Sequence, residues 1–550
     1  MSQVTRSKRL IASVSSAVAA FAVGVAFWSL QRKHDTQSIV DLGYSQYQGV
    51  ALESGTTQYL GIRYAAPPIG HLRFKKPAKP LQTTVVQDAT AFRPVCLGAG
   101  ADYPSSSHDE DCLFINVWRP TSATPGSTLP VWVYIQGGGY GGNYNANYNG
   151  STVVATSGHE IVFVNFNYRV SSWGFLASEK VRADGDLNVG LLDQRLALEW
   201  VQEHISKFGG DPKKVVVHGV SAGAGSLALH LAAYGGRDDK LMRGAILESP
   251  FFPTQPKVAD LEWQFDNFVN TTGCAGSSDE LKCLRSKDTA TLQAADVAIP
   301  YPSRIDTPRF YWTPTTDGDF IRNHPSKMFE DGSFVNVPLM IGDDTNEGTG
   351  FAVDATTPEE VGTFLQDNFP LLTIHDTAVI NHQYPLMETL PQHGNYFPSA
   401  AAAYGDAVFS CPSHHLSLAF LTSKSPSQVW NYRYNVLQDD LVAAGLGVPH
   451  TSETPAIFGV GNTGIPDENS SYLTYNKNIV PVVMNYWISF VKSLDPNLLR
   501  HESAPEWEPF GRESQRRILL ETNRTRMEDV PDDQRKKCEL WKGLASTMEH

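Results

Sequence analysis

Three short, nearly uninterrupted apolar runs stand out along the chain. Val131-Trp-Val-Tyr-Ile135, Ile161-Val-Phe-Val-Asn-Phe166 and Val215-Val-Val-His218 are rich in β-branched and aromatic side chains. They lack the alternation of a strand with one wet face, so each predicts a strand buried on both faces. The first ends in Gln136-Gly-Gly-Gly-Tyr140 and the third in Gly219-Val-Ser-Ala-Gly223. Between the second and third, Leu191 to Ile205 reads as a helix. Short strands alternating with longer helical patterns predict an α/β protein with a large, mostly parallel sheet covered by helices. No repeat or Pro/Ser-rich linker interrupts this pattern, which makes residues 38–545 one domain.

The N-terminus departs from the pattern. Leu10 to Leu30 carries no charge, with Arg6, Lys8 and Arg9 before it and Arg32 and Lys33 after it. A helix of this length reaches about 30 Å, the thickness of a bilayer's apolar core. It predicts either a signal-anchor that stays as a single-pass span or a signal peptide cleaved near Ala20-Phe21-Ala22. Residues 1–37 are then this segment and a short linker, and the remainder enters the secretory pathway.

Composition narrows the partners. Among 550 residues, 44 Lys+Arg stand against 58 Asp+Glu, a net charge of −14. That balance opposes nucleic-acid binding, which relies on clustered cations. Six cysteines, Cys96, Cys112, Cys274, Cys283, Cys411 and Cys538, form no CxxC pair, and no HExxH motif accompanies them. Three disulfides in an oxidising compartment fit better than a metal site, though six cysteines allow about fifteen pairings. Taking the two close pairs first gives Cys96–Cys112, Cys274–Cys283 and Cys411–Cys538. Asn149, Asn270, Asn469 and Asn523 lie in Asn-x-Ser/Thr sequons compatible with glycosylation.

The chemistry gathers at Gly219-Val-Ser221-Ala-Gly223, a G-x-S-x-G sequence entered by a predicted strand and left by a small-residue helix. Such an elbow lifts the serine hydroxyl above a sheet edge, and side chains at the flanking glycines would collide across the turn. A serine nucleophile needs a base held by an acid, and on this architecture they follow in the order acid, then histidine. Spacing selects neither. His324, His375, His382, His393, His414, His415, His450 and His501 are candidates for the base, and Asp343, Asp344 and Glu347 for the acid. Gly137 to Gly142 also fits G-x-G-x-x-G, but the following Asn143-Tyr-Asn-Ala-Asn-Tyr-Asn149 is a poor helix former, so a dinucleotide site is not expected.

Several further segments carry a resemblance. Gly61-Ile-Arg-Tyr-Ala65 followed by Pro67-Pro68, Glu110-Asp-Cys-Leu-Phe-Ile-Asn-Val-Trp118 and Asn167-Tyr-Arg-Val170 are among them. Asn188-Val-Gly-Leu-Leu-Asp-Gln-Arg195 and Phe208-Gly-Gly-Asp-Pro212 extend it. From about residue 38 to 545 the chain resembles the type-B carboxylesterase/cholinesterase family of α/β-hydrolases. The resemblance implies the α/β-hydrolase fold, with helices on both faces of the sheet. It implies Ser221 as nucleophile, Glu347 in Asn346-Glu-Gly-Thr349 as acid, and His450 in Gly447-Val-Pro-His-Thr-Ser-Glu453 as base. The cysteine pairs coincide with the family's disulfides, and Arg73 with Glu110 and Arg169 with Asp193 resemble its buried ion pairs. Asp343 and Asp344 then become loop residues. An oxyanion needs preorganised N–H donors, for which Gly138, Gly139 and Ala222 are placed.

Departures from the family bear on substrate. Val220 stands where many relatives carry an acid, and no Trp lies between Cys96 and Cys112 to hold a choline cation. The loop those cysteines close is shorter than the flap of the family's lipases. The expectation is a serine carboxylesterase acting on a small or medium ester, with no cofactor or metal. Phe251 and Phe252 are candidates for the acyl-pocket wall. A lipase, an acyltransferase and a non-catalytic adhesion protein are the alternatives the same scaffold offers.

Overall fold

The computed structural model describes residues 38–143, 147–423, 428–464 and 470–550. The apolar 10–30 segment, with its expected role as anchor or signal, lies outside the described residues, and so does Asn469.

Eleven strands form the central sheet. In chain order they are β1 (Val50–Ala51), β2 (Thr56–Arg63), β3 (Phe114–Pro120), β4 (Leu129–Ile135), β5 (Val162–Phe166) and β6 (Gly210–Val220), then β7 (Gly244–Glu248), β8 (Leu339–Asp344), β9 (Val429–Tyr434), β10 (Arg516–Leu520) and β11 (Arg526–Asp529). Their order across the sheet is β11-β10-β9-β8-β7-β6-β4-β5-β3-β2-β1. The strands from β10 to β5 are mutually parallel. Antiparallel pairing is confined to the two edges.

The three apolar runs lie in β4, β5 and β6, at the middle of this sheet. Every residue of β5, β7 and β8 is buried, as expected of strands covered on both faces. Alternate side chains of β4 feed two separate cores. Val131, Val133 and Ile135 join one that includes Leu198 of α1 (Val189–His204) and Leu227 of α2 (Ala222–Gly236). Trp132 and Tyr134 join the other, with Phe458 and with Val483 and Trp487 of α3 (Ile479–Ser493).

Strand order reverses at β4, since β5 lies on one side of it and β6 on the other. At such a switch point the segments leaving the strand ends diverge and open a crevice. The glycine run follows β4 and Ser221 follows β6, so both border that crevice.

The cysteines form three disulfides, Cys96–Cys112, Cys274–Cys283 and Cys411–Cys538. The last joins the helix Cys411–Thr422 to α4 (Asp532–Met548) across 127 residues. Arg73 Nε donates to Glu110 Oε1 at 2.5 Å and its Nη1 to the Arg285 carbonyl at 3.1 Å, tying distant loops together. Arg169 grips Asp193 through Nε and Nη2, both at 2.7 Å, and through its own backbone N–H at 3.0 Å. Both pairs are buried.

Candidate active site

Ser221 sits between β6 and α2 with φ 55° and ψ −124°, a region costly for a residue with a side chain. Its surroundings hold it there. The Ser221 N–H donates to the Glu248 carbonyl at 2.8 Å, while Gly225 and Phe251 N–H groups donate to the Ser221 carbonyl at 2.9 and 3.2 Å. A Cβ at Gly219 would strike the backbone of Gly223, and one at Gly223 would strike the Ile135 carbonyl. Both flanking positions therefore require glycine.

Glu347 opens a tight turn just beyond β8, and His450 lies in the loop after β9. His450 Nδ1 donates to Glu347 Oε2 at 2.5 Å. Two more donors meet Glu347 Oε1, the Ser249 hydroxyl at 2.6 Å and the Asp344 N–H at 2.7 Å. With Nδ1 committed to a carboxylate, the neutral ring offers Nε2 as acceptor. That atom is buried and has no hydrogen-bond partner among the described residues. The imidazole is wedged between Phe409 and Phe351, with centroids 4.2 and 5.3 Å away.

Ser221 and His450 line one cavity of about 320 Å³, together with Gly138, Gly139, Phe310 and Phe351. Gly138 and Gly139 have φ of 105° and 60°. A Cβ on Gly139 would overlap the Phe310 ring, and one on Gly138 would meet the Gly142 carbonyl. Among the described residues no acceptor is found for either amide. Ala222 is the first residue of α2, where N–H groups lack a partner within the helix. Ser221, the His450 ring held by Glu347, and the Gly138 and Gly139 amides thus border one open cavity. This set can attack a carbonyl and hold the resulting oxyanion.

Other expectations need correction. Asp343 and Asp344 are not loop residues: they end β8 and are buried. Asp344 supports Glu347 through its N–H, and its Oδ2 accepts from the Ser452 N–H at 3.1 Å. Phe251 and Phe252 do not line the cavity. Phe251 packs behind Phe310, centroids 4.6 Å apart, and Phe310 forms the wall. Of the sequons, Asn270 and Asn523 are exposed and Asn149 is half-buried.

An acidic layer lies beneath the site, of which the sequence shows the members but not their clustering. Glu248, Asp343, Asp344 and Glu453 are all buried around Glu347. Burial pushes Glu248 and Asp343 up to about 8, and also raises Asp344 and Glu453. Glu248 accepts from Thr454 Oγ1 at 3.0 Å and lies 2.8 Å from His218 Nε2, while burial lowers His218 to about 3. Charged residues that end apolar runs, Glu248 after Ala245-Ile-Leu247 and Asp343-Asp344 after Leu339-Met-Ile341, signal this layer in the sequence.

The sign of its pH dependence follows from linkage. Glu248 and Asp343 hold protons in the fold that the unfolded chain releases near its ordinary carboxyl range. Their contribution is full below that range and is lost as pH rises through about 8. The melting midpoint should therefore fall between about pH 6 and pH 9. Asp343→Asn should make that fall shallower, as followed by calorimetry across the same range.

Comparison with known proteins agrees with this geometry. The carboxylesterase family model matches residues 36–541. Lipase 4 of Diutina rugosa is 32% identical over 483 residues, 80% of this chain and 84% of that protein. Secreted lipase 1 of Botryotinia fuckeliana is 31% identical, covering 83% and 84%. The crystal structure of Aspergillus niger EstA superposes with a TM-score of 0.91 at 50% identity, over 93% of this chain and 99% of that one. A structure titled PNB esterase gives a TM-score of 0.76 at 28% identity, covering 91% and 100%. A sheet of this order, with a serine elbow at its switch point and a family match along nearly its whole length, places the chain in the carboxylesterase family of α/β-hydrolases, the carboxylic ester hydrolases.

Proposed function

We propose that the 38–545 domain hydrolyses small or medium carboxylic esters through an acyl-enzyme on Ser221. His450, oriented by Glu347, takes the Ser221 proton as Oγ attacks the ester carbonyl. The oxyanion is held by the N–H groups of Gly138, Gly139 and Ala222. His450 then protonates the departing alcohol, and a water activated by the same imidazole releases the acid. The observation that carries this reading is the His450–Glu347 hydrogen bond, with the opposite ring nitrogen free in the cavity that Ser221 lines.

The small or medium acyl range is supported by a cavity of about 320 Å³ walled by Phe310 and Phe351, and by the short Cys96–Cys112 loop. Several relatives are named lipases, so chain length is the open variable. Fluorophosphonate labelling followed by peptide mapping, with turnover of p-nitrophenyl acetate, butyrate and palmitate, tests the whole reading. Label at Ser221 and fastest turnover of the two shorter esters is expected. Label elsewhere removes the nucleophile, and fastest turnover of palmitate removes the size range.

The oxyanion assignment has its own test. Gly139→Ala would drive a methyl group into the Phe310 ring and displace one donor. Loss of one such donor lowers kcat about 10²–10³-fold. Steady-state kinetics on p-nitrophenyl butyrate, with Gly141→Ala as the control in open space, reads this directly.

We further read the chain as a secretory protein, supported by three disulfides and by relatives named as secreted lipases. The 10–30 segment is its signal or signal-anchor, which N-terminal sequencing of the mature protein distinguishes. The exposed sequons at Asn270 and Asn523 suit glycans.

A further inference from the structure

Apart from His450, the cavity beside Ser221 carries, among the described residues, one basic side chain in its lining, Arg309, and no carboxylate. Arg309 leaves the backbone next to Phe310, the residue that covers Gly139. Its own N–H is fixed by Asn368 Oδ1 at 2.9 Å. The guanidinium lies 5.7 Å from the Phe364 ring centroid, and Nη2 points at the Ala352 carbonyl at 3.4 Å. Ala352 follows Phe351, one of the rings against His450.

Arg309 has no ion-pair partner among the described residues, although most arginines here do have one. Asp367 and Asp354, on the segments packed beside it, are engaged elsewhere. Asp367 Oδ1 accepts the Ile305 N–H, and Asp354 Oδ1 accepts the Gly394 N–H and faces His393. A guanidinium has five N–H donors in a planar fork suited to a carboxylate, and this one spends a single weak bond on the protein.

Resting on the reading that this cavity holds the ester, we propose that Arg309 is a specificity-determining residue that favours esters bearing a carboxylate a few atoms from the scissile carbonyl. The anion would take the open face of the guanidinium at the cavity rim, leaving the apolar wall for the methylenes between. Choline-like cationic esters are disfavoured by the same charge. The chain's net −14 opposes anions at long range, so the discrimination is local, within about one Debye length of 8–10 Å.

The experiment compares kcat/KM for monoethyl glutarate (carboxylate on the acyl side), butyryl glycolate (carboxylate on the alcohol side) and neutral ethyl pentanoate, in wild type, R309A and R309K. Arg309 is exposed, and an exposed ion pair contributes up to about fivefold, so R309A should lower the anionic-to-neutral ratio by roughly two- to fivefold for one of the two anionic esters. R309K should restore part of it, and which ester responds assigns the side. If R309A lowers all three rates in proportion, Arg309 is merely structural and the proposal falls. An unchanged ratio for both anionic esters also overturns it. Absence of turnover of every ester by the wild-type protein would instead overturn the assignment of the cavity itself, and with it this inference.

Discussion

His450→Ala should lower kcat for p-nitrophenyl butyrate by on the order of 10⁴–10⁶-fold, and the double variant with Ser221→Ala should be no slower than Ser221→Ala alone. The reason is geometric. Oγ of Ser221 is activated only while an unprotonated imidazole nitrogen faces it, and the imidazole is useful only if there is a hydroxyl to deprotonate. Removing either member therefore removes the whole unit. Glu347→Gln should cost less, roughly 10⁴-fold, because it leaves both reacting groups in place and disturbs the tautomer. The position of Glu347 makes this variant informative: Ser249 Oγ and the Asp344 N–H both donate to Oε1. An amide placing its NH₂ toward His450 can no longer accept the Nδ1 proton. Additive losses in the double variant would mean that Ser221 and His450 act independently, contrary to the mechanism.

The second large effect concerns stability. Reducing or deleting the Cys411–Cys538 bridge should destabilise the fold by about 4–5 kcal/mol, since in the chain-entropy model the cost of freeing a loop grows with its length. This loop spans 127 residues, against 16 and 9 for the other two. Cys411→Ala/Cys538→Ala should thus lower the denaturation midpoint more than the equivalent change at Cys274 and Cys283, whose loop is shortest. Denaturant titrations of the two double variants, compared at equal m-value, check the ranking. A larger loss from the short loop would show that native packing around the sulfurs, rather than chain restriction, dominates.

The parts of this molecule visible in its sequence are those whose cause is local. The elbow at Ser221 was legible because a buried strand, two glycines and a small-residue helix all lie within a few positions of one another. The acid and base were not legible from the residues. They leave two different strand ends, and a histidine carries no local mark of the loop it will share, so only family resemblance chose Glu347 and His450. Ser249 is not legible because its task is to contact Glu347 from the end of a neighbouring strand, and Asp344, a candidate acid in the sequence, supports Glu347 through its backbone N–H, a role no side-chain type records. Phe251 and Phe252 follow β7 closely, where a pocket wall is expected, yet Phe310 comes between Phe251 and the cavity. Which of two aromatics reaches the solvent side depends on packing order, which no periodicity records.

The longest cross-link encloses one member of the proposed catalytic pair and leaves out the other. His450 lies inside the segment closed by Cys411 and Cys538, whereas Ser221 lies outside it. On the proposed mechanism, opening that one bond lengthens the tether of the base without touching the elbow that holds the hydroxyl.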